Sequence, residues 1–452
     1  MPDPSKIGLD RGDRLPKIVT PPPGPAARAW CARLAAAEAP GINSLASVDD
    51  VNILWREALG ANVLDVDGNR YVDLTSGFGV AAIGHRHPRM IQAIHEQADR
   101  LVHGLGDATP HPARIELAEQ LQRSAPIDEP RIHFAVSGAD AVEIAIKTAL
   151  MATGRHRLLT FSPSYHGLTL GALTASSRQA FRDPFRHHLH DHVVRLDFGA
   201  DPKEIEHALA AHDIAAVIVE PIVGREGVLL PPARWLTKVN QHAQRAGTLL
   251  IVDEIFTGFG RTGRLFAVDH DDVRPDLLCC GKAMAGGMPI GAVIGSETLM
   301  RVWETGGEAL HTATFVAHPL ACRAALEVLR VIDEEDLVAR AERLGASMLE
   351  RLATWPDRYP TYVRTTRGRG LLAGVELHRA EQAYRLTTEA RHDGVLMLAG
   401  GPNGTVAQLV PPLIITDEQL DDALDRLERI LAEADLDERH PSDRLPATPI
   451  RG

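Results

Sequence analysis

The amino-acid sequence predicts an α/β fold, because short apolar runs alternate with helical segments along most of the chain. The clearest runs are apolar over nearly their whole length, which is typical of strands buried on both faces of a parallel sheet. A helical segment around residues 234–245, and others like it, should cover that sheet. The clearest predicted strands are residues 158–161, 215–219, 248–252 and 277–280.

The predicted organisation is one large domain and one smaller domain. Residues 84–320 contain the predicted central sheet, which should be mostly parallel and flanked by helices. Residues 31–83 and 321–436 differ in character, and we expect these N- and C-terminal segments to form a smaller α+β domain together. Residues 1–30 are rich in proline and predict an extended N-terminal arm, and residues 437–452 predict a flexible tail.

The C-terminal part contains specific local signals for secondary structure. A long helix should follow Pro319, and residues 370–377 are predicted to form a strand. Thr416 and Gln419 have the spacing of a capping box, which predicts that the final helix begins there. The apolar stripe of that helix consists of Leu420, Leu424, Leu427 and Leu431.

Composition argues against several classes of function. The net charge of the 452 residues is −12 at pH 7, whereas binding nucleic acid needs a clustered positive surface. No run of 18 or more apolar residues predicts a membrane span, and no secretory signal is visible at the N-terminus. The four cysteines have neither zinc spacing nor the spacing of a disulfide framework. We therefore expect a protein of the reducing cytoplasm.

Residues 136–140 form a turn of small residues before a strongly helical pattern. Such a turn exposes unpaired backbone N–H groups and the positive end of the helix dipole. The N–H groups of Gly138 and Ala139 are therefore candidates to bind a phosphate. An ordinary helix cap explains the same pattern, so this segment alone does not decide between the two interpretations.

Two further segments place titratable residues at the ends of apolar strands. Asp253 and Glu254 end one strand, at the edge where open α/β sheets bind ligands. A buried carboxylate there needs a positive partner such as a protonated pyridine nitrogen, although Asp253 capping a turn is the alternative. Lys282 follows another strand directly after Gly281, and burial lowers the pKa of a lysine toward the neutral, nucleophilic amine. The three segments together are far more specific than any one of them.

In their order along the chain, these segments resemble the class III aminotransferases, a fold-type-I family of enzymes that depend on pyridoxal 5′-phosphate (PLP). The resemblance runs from about Leu64 to Leu431. It implies a PLP-dependent aminotransferase that moves an amino group from a primary amine or amino acid to a 2-oxo acid by a ping-pong mechanism. The motifs that carry the resemblance are residues 65–74, 84–88, 165–167, 219–222, 253–263, 311–315 and 411–413.

The resemblance also implies roles for individual residues. Lys282 should hold PLP as a Schiff base and later move a proton, and Asp253 should pair with the pyridine N–H so that the ring stays an electron sink. Thr314 should reach the phosphate of the neighbouring subunit's cofactor, which implies a homodimer with shared active sites. Glu220 lies nearby, and its role stays open between a structural hydrogen bond and a catalytic one. The other implied cofactor contacts are Tyr165 and Ile255 on the two ring faces, and the N–H groups of Gly138 and Ala139 on the phosphate.

The chain departs from its relatives at the substrate site. Many members have an arginine three residues before a Pro-Pro pair, but this chain has Gln408 there. Many also have a glutamate after the Glu-Pro-x-x-Gly motif, but here Arg225 occupies that position, and Phe256 replaces a glutamine found in several relatives. Glutamine cannot replace a bidentate guanidinium, so either Arg225 takes over carboxylate recognition or an amine is bound without the usual clamp. The candidate substrate residues are Phe78, Arg225 and Gln408.

Other functions compete with amino transfer. The same family contains PLP-dependent racemases and epimerases, which use the same lysine but need a second acid/base on the opposite ring face. A non-catalytic PLP-binding protein is disfavoured by the presence of both Lys282 and Asp253. Residues 258–263 satisfy a G-x-G-x-x-G pattern, but no helical pattern opens at Gly263, so a dinucleotide site is not predicted. The histidines within residues 187–192 lie in a polar segment without a helical metal motif, so no metal is predicted.

Overall fold

The computed structural model of the chain describes residues 9–39, 52–211 and 213–439. Within those ranges, fifteen strands form three sheets. In chain order the strands are β1 (Trp55–Leu59), β2 (Asn62–Asp65), β3 (Arg70–Asp73), β4 (Pro130–Ala135), β5 (Arg157–Ser162), β6 (Val193–Asp197), β7 (Ile214–Val219), β8 (Leu249–Asp253), β9 (Leu277–Cys280), β10 (Gly291–Ser296), β11 (Val363–Arg369), β12 (Leu372–Leu377), β13 (Val395–Leu396), β14 (Leu398–Gly400) and β15 (Val406–Leu409).

The helices of the same residues flank these sheets, and none of them is long and apolar enough to cross a membrane. They are α1 (Pro25–Ala37), α2 (Ser76–Gly79), α3 (Pro88–Ala98), α4 (Pro112–Ser124), α5 (Gly138–Thr153), α6 (Leu170–Ala175), α7 (Gln179–Arg182), α8 (Pro202–Ala211), α9 (Trp235–Arg245), α10 (Glu297–Met300), α11 (Pro319–Glu334), α12 (Leu337–Ala353), α13 (Trp355–Arg358), α14 (Ala380–His392) and α15 (Asp417–Arg439). Short 3-10 helices lie at Asp183–His188, Ala267–His270, Lys282–Ala285 and Arg301–Trp303.

The largest sheet has seven strands in the described residues, in the order β4-β10-β9-β8-β7-β5-β6. Strands β9, β8, β7, β5 and β6 run parallel to one another, and β10 runs antiparallel to both β9 and β4. The predicted mostly parallel central sheet is therefore confirmed. All four strands predicted most clearly from the sequence are present, as β5, β7, β8 and β9.

Both faces of the large sheet are covered, which explains why its strands are apolar at consecutive positions. Every residue of β7 is buried. Cys279 packs in the cluster with α5, whereas Cys280 packs in the larger core on the other face. The two thiols therefore point to opposite faces, as the strand geometry predicts.

The chain termini combine in the smaller part of the fold. The sheet β1-β2-β3-β13 pairs Val72 with Val395 in parallel, which joins the N-terminal strands to the C-terminal part. The second small sheet, β11-β12-β15-β14, is antiparallel. Helix α15 begins after a complete capping box, because the Gln419 N–H donates to Thr416 Oγ1 at 3.0 Å and the Thr416 N–H donates to Gln419 Oε1 at 3.2 Å.

Two predicted boundaries need correction. The extended arm was predicted to reach residue 30, but α1 begins at Pro25, because proline is compatible with the first turn of a helix, where its missing N–H costs nothing. The flexible tail was predicted from residue 437, but α15 continues to Arg439. Residues 1–8 and 440–452 lie outside the described residues. The predicted limits of the large domain at residues 84 and 320 stay predictions.

A buried arginine connects the large sheet to the small part of the fold. Arg261 is 1% exposed, and its Nη1 donates to the carbonyl of Leu371 at 3.1 Å and to the carbonyl of Pro411. Its Nη2 lies 3.4 Å from Ser76 Oγ. Burial lowers the pKa of Arg261 to about 10, while Asp73 acts in the opposite direction. Arg261 therefore has a structural function and is not available to a substrate carboxylate.

Candidate active site

The carboxyl ends of three adjacent strands bring the predicted catalytic residues together. Glu220 follows β7, Asp253 ends β8, and Lys282 lies two residues after β9. Because these strands are parallel neighbours, their ends meet at one edge of the sheet. A cavity of about 530 Å³ opens at this edge. Its lining residues are Gly138, Ala139, Tyr165, His166, Gly167, Leu168, Thr169, Glu220, Arg225, Asp253, Ile255, Phe256 and Lys282.

Asp253 is buried at this edge and is held by two donors. His166 Nδ1 lies 2.8 Å from Asp253 Oδ2, and the Ile255 N–H donates to Oδ1 at 3.1 Å. Burial lowers the pKa of His166, but the hydrogen bond and the charge of Asp253 outweigh burial, so the net shift is upward. Nδ1 is therefore the ring nitrogen of His166 that faces the carboxylate. His166 Nε2 is buried and has no partner within the described residues.

Lys282 has the properties of a reactive amine. Burial lowers its pKa, and Arg225 lowers it further, although Asp253 and Glu220 act in the opposite direction. Its φ of +40° is uncommon for a residue with a side chain, and such conformations cluster at active sites. Lys282 Nζ lies 4.3 Å from the ring centroid of Phe256. Lys282 therefore presents to the cavity an amine whose pKa is lowered by burial.

The start of α5 forms a cradle that requires glycine. Ser137 caps the helix by accepting from the Asp140 N–H at 3.2 Å, which leaves the N–H groups of Gly138 and Ala139 at the cavity. A Cβ at Gly138 would lie 3.0 Å from side-chain carbons of Ile255, closer than nearly all such contacts. Gly138 thus lets Ile255 pack tightly beside the helix start, where backbone N–H groups and the dipole favour an anion.

Glu220 supports the wall that carries Tyr165. Its Oε1 accepts from the Tyr165 N–H at 2.9 Å, and its Oε2 accepts from the Gly224 N–H at 3.1 Å. Burial raises the pKa of Glu220 to about 7, which the charge of His166 and these backbone N–H groups partly counteract. With both oxygens engaged by backbone, Glu220 has a structural role in this arrangement, one of the two roles left open by the sequence.

These residues fit PLP. The start of α5 suits its phosphate, Asp253 suits its pyridine N–H, and the Lys282 amine suits its aldehyde. Tyr165 and Ile255 both line the cavity, as expected for residues that contact the ring. When bound, PLP supplies an electron sink for the carbon that carries the amino group.

The structure does not bring every predicted residue to this cavity. Phe78 is 66% exposed and does not line it. Gln408 is buried, and its Nε2 donates to the carbonyls of Gly224 and Arg225 instead of facing a substrate. Thr314 is exposed outside the cavity of its own chain, so its contribution to a partner's site stays a prediction.

Sequence reasoning missed the role of His166. The motif at residues 165–167 drew attention to this segment, but nothing in it indicates that His166 binds Asp253. Only an indirect signal was present in the sequence. A buried carboxylate at a strand end needs a partner, and His166 lies in a motif that carries the resemblance to the family. Leu168 and Thr169 were also missed as cavity-lining residues, because only the tertiary structure places them there.

Comparisons with known proteins agree with the geometry. The family model described as aminotransferase class-III matches residues 45–431. The chain is 39% identical over 370 residues to an acetylornithine aminotransferase of Methanopyrus kandleri, covering 81% of this chain and 91% of the relative. It is 35% identical over 449 residues to a 4-aminobutyrate aminotransferase of Mycobacterium leprae, covering 92% and 98%.

Solved structures give the same result. An ornithine aminotransferase from Toxoplasma gondii superposes with a TM-score of 0.82 at 32% identity, covering 91% of this chain and 96% of that one. A PLP-bound amine transaminase from an uncultivated Pseudomonas species gives 0.80 at 31% identity, covering 88% and 98%. The chain therefore belongs to the class-III aminotransferases and is a PLP-dependent transaminase.

Proposed function

We propose that this transaminase moves an amino group from a primary amine or amino acid to a 2-oxo acid in two half-reactions at one site. The observation that carries the proposal is the meeting of Lys282, Asp253 and the start of α5 around a single cavity. Because its pKa is lowered, the amine of Lys282 can accept a proton from the substrate carbon and then donate that proton to a second atom. Asp253, held by His166, keeps a negative charge where the cofactor's ring nitrogen binds.

Isomerisation is the competing function, and the bonds made by Glu220 and by His166 Nδ1 argue against these two groups as its second acid/base. A racemase needs a second acid/base that is free to reach the substrate from the other side. Among the cavity-lining side chains, both oxygens of Glu220 accept backbone N–H groups and His166 Nδ1 is bound to Asp253. Amino transfer needs only Lys282 as the proton carrier.

Incubation of PLP-loaded protein with an L-amino acid, in the absence of any 2-oxo acid, tests this proposal. We expect release of about one equivalent of 2-oxo acid per Lys282 site, and renewed turnover only after a second oxo acid is added. A panel of amino donors identifies the L-amino acid to use, and chromatography measures the oxo acid and both enantiomers of the donor. Accumulation of the D-enantiomer without oxo-acid release would instead establish a racemase.

A homodimer is our proposal for the assembly, supported by an exposed apolar surface. Two segments lie side by side there: His103 Nε2 is 2.9 Å from the Thr314 carbonyl oxygen, and its ring centroid is 5.5 Å from that of Phe315. Exposed apolar side chains cluster along both segments, and such surfaces mark sites of association. We call this the 101–315 surface; it consists of Leu101, Val102, Leu105, Leu310 and Phe315. We propose that a second copy of the chain binds the 101–315 surface. This contact would place Thr314 next to the partner.

A charge placed on the 101–315 surface should separate the subunits. Phe315→Glu buries a carboxylate in the proposed contact, so the mass in solution should fall to that of one chain, with more than a tenfold loss of activity. Tyr384→Glu, which alters a 43% exposed aromatic residue on α14, is the matched control and should leave the mass unchanged. Light scattering after size exclusion measures the mass. An unchanged mass for Phe315→Glu contradicts the proposed interface.

The cytoplasm is our proposal for the compartment. Cys279, Cys280 and Cys322 are buried free thiols, and burial raises the pKa of each. Reduced thiols of this kind are typical of proteins that stay in a reducing environment.

A further inference from the structure

The cavity offers one arginine beyond the reactive lysine. Its titratable lining residues include the acids Glu220 and Asp253, the bases Lys282 and Arg225, and His166, which is bound to Asp253. Both carboxylates already have donors, Glu220 from backbone N–H groups and Asp253 from His166 and the Ile255 N–H. In the described part of the chain, Arg225 pairs with no carboxylate. Its guanidinium is therefore available to an anion that enters the cavity.

Two aromatic rings lie beside the Arg225 guanidinium. Its Cζ lies 4.5 Å from the ring centroid of Tyr165 and 5.1 Å from that of Phe181. Such cation–π contacts do not require the N–H groups to donate to an oxygen, so these groups can still donate to an anion. Two parallel N–H donors match the two oxygens of a carboxylate.

The backbone of Arg225 is fixed from the C-terminal part of the chain. Gln408 Nε2 donates to the carbonyls of Gly224 at 3.0 Å and Arg225 at 3.2 Å. The Gly401 N–H donates to the same Arg225 carbonyl at 3.2 Å. Arg178 binds the neighbouring Glu226 at 2.8 Å, and its Nη2 also donates to the carbonyl of Gly401 at 2.7 Å. The loop that carries Arg225 is therefore held by hydrogen bonds to β15 and to the turn after β14.

We propose that Arg225 binds the carboxylate of an amino acid or oxo acid whose reacting group faces Lys282, and that Gln408 is a positioning residue for Arg225. Two of the three positions at which this chain departs from its relatives are thus physically coupled, because the Gln408 amide holds the Arg225 backbone. The apolar walls formed by Leu168, Ile255 and Phe256 suit the carbon chain between the two polar ends. This inference rests on the proposed function and assigns carboxylate-bearing substrates to it, in place of simple amines.

Binding of glutarate, an unreactive dicarboxylate, tests the role of Arg225 without turnover. Calorimetry of PLP-loaded protein should show binding, and Arg225→Ala should weaken it by about 10- to 100-fold, the effect of one lost charged hydrogen bond. Arg225→Lys keeps the charge without the two-pronged donor and should give an intermediate value. Arg274→Ala, which removes a 64% exposed arginine elsewhere, is the control and should bind as the unaltered protein does. Absence of binding, or equal binding by Arg225→Ala, overturns the assignment.

Kinetics with a matched pair of donors separates this inference from the proposed function. Arg225→Ala should lower kcat/KM for 4-aminobutyrate relative to that for n-butylamine by about 10- to 100-fold, chiefly through KM, because the two donors differ only by the carboxylate. An unchanged ratio overturns the inference. If neither donor nor any other amine reacts while Arg225→Ala still weakens glutarate binding, the proposed function fails and the carboxylate site stands.

The role of Gln408 is tested by non-additivity. Gln408→Met keeps the length of the side chain but removes both donors, so it should weaken glutarate binding by about 3- to 30-fold. In the double variant with Arg225→Ala, the further loss should be less than about twofold, because Gln408 acts only through Arg225. Fully additive losses, or no effect of Gln408→Met on glutarate binding, overturn the positioning role. Arg225→Ala changes an exposed side chain, so the test of Arg225 survives even if Gln408→Met does not fold.

Discussion

Replacement of Lys282 by alanine should lower kcat by about 10⁴-fold or more. We propose two roles for the amine, attachment of the cofactor and transfer of a proton, and proton transfer by a positioned group alone contributes about 10²–10⁴-fold. Its lowered pKa and its place between Phe256 and the carboxyl ends of β8 and β9 have no equivalent elsewhere in the cavity lining. Steady-state assays with the best amino donor measure the loss.

Two variants make the Lys282 result specific. Lys282→Arg keeps a positive charge but cannot supply a neutral amine, so its activity should be as low as that of the alanine variant. Lys203→Ala removes an exposed surface lysine and should retain full activity. Circular dichroism checks that all three variants are folded. A Lys282→Ala protein that keeps more than a few per cent of its kcat would contradict the assigned role.

The second large effect should follow from Asp253→Asn. The substitution preserves shape but removes the negative charge that we propose would face the cofactor's ring nitrogen. Loss of one partner from a buried charge pair costs about 3–5 kcal/mol, which corresponds to about 10²- to 10³-fold or more in affinity. We expect the dissociation constant of PLP to rise by that factor, with a comparable loss of activity, as measured by equilibrium dialysis and assay.

Glu254→Gln is the matched control for Asp253→Asn. Glu254 is the adjacent buried carboxylate, but it faces away from the cavity: its side chain accepts from Thr257 Oγ1 and from the Val268 N–H at 2.8 Å. Burial raises the pKa of Glu254 to about 7. This variant should leave PLP affinity within about threefold of the unaltered protein. Equal losses in both variants would show that general damage to this strand end, and not the charge of Asp253, causes the effect.

A further readout concerns His166. Asp253 raises the pKa of His166 against the opposing effect of burial. In Asp253→Asn the contributions of this carboxylate disappear and only that of Glu220 still raises the pKa of His166, so the pKa should fall and the proton should be lost at a lower pH. Histidine-selective NMR follows this titration, which a purely structural change elsewhere would leave in place.

The sequence predicts the parts of this fold that depend on local pattern. Continuous apolar character identifies β5, β7, β8 and β9, and the same residues are buried in the structure. The sequence therefore also predicts that Asp253 and Lys282 lie at the same edge of the sheet, because residues at the carboxyl ends of parallel strands converge there. The spacing of Thr416 and Gln419 predicts the start of α15 because a capping box is a contact between near neighbours in sequence.

The features that the sequence did not predict depend on the directions in which side chains point. The pattern of residues along the chain does not contain those directions. Gln408 occupies a substrate-binding position in the motif, but its amide turns toward the loop of Arg225. Phe78 has a left-handed φ of +63° within α2, and its ring remains exposed. The prediction of an extended N-terminal arm over residues 1–30 was partly wrong, because proline is favourable both in an extended chain and in the first turn of a helix.

The hydrogen bonds of Arg261 have a consequence for motion. Apolar contacts between layers tolerate small sliding movements, but hydrogen bonds from one buried guanidinium to the carbonyls of Leu371 and Pro411 are directional and would be broken by them. Solvent cannot replace these hydrogen bonds, because Arg261 is almost fully buried. Shear of the small part against the large sheet is therefore disfavoured. We therefore expect turnover to proceed without sliding of the small part of the fold over the large sheet.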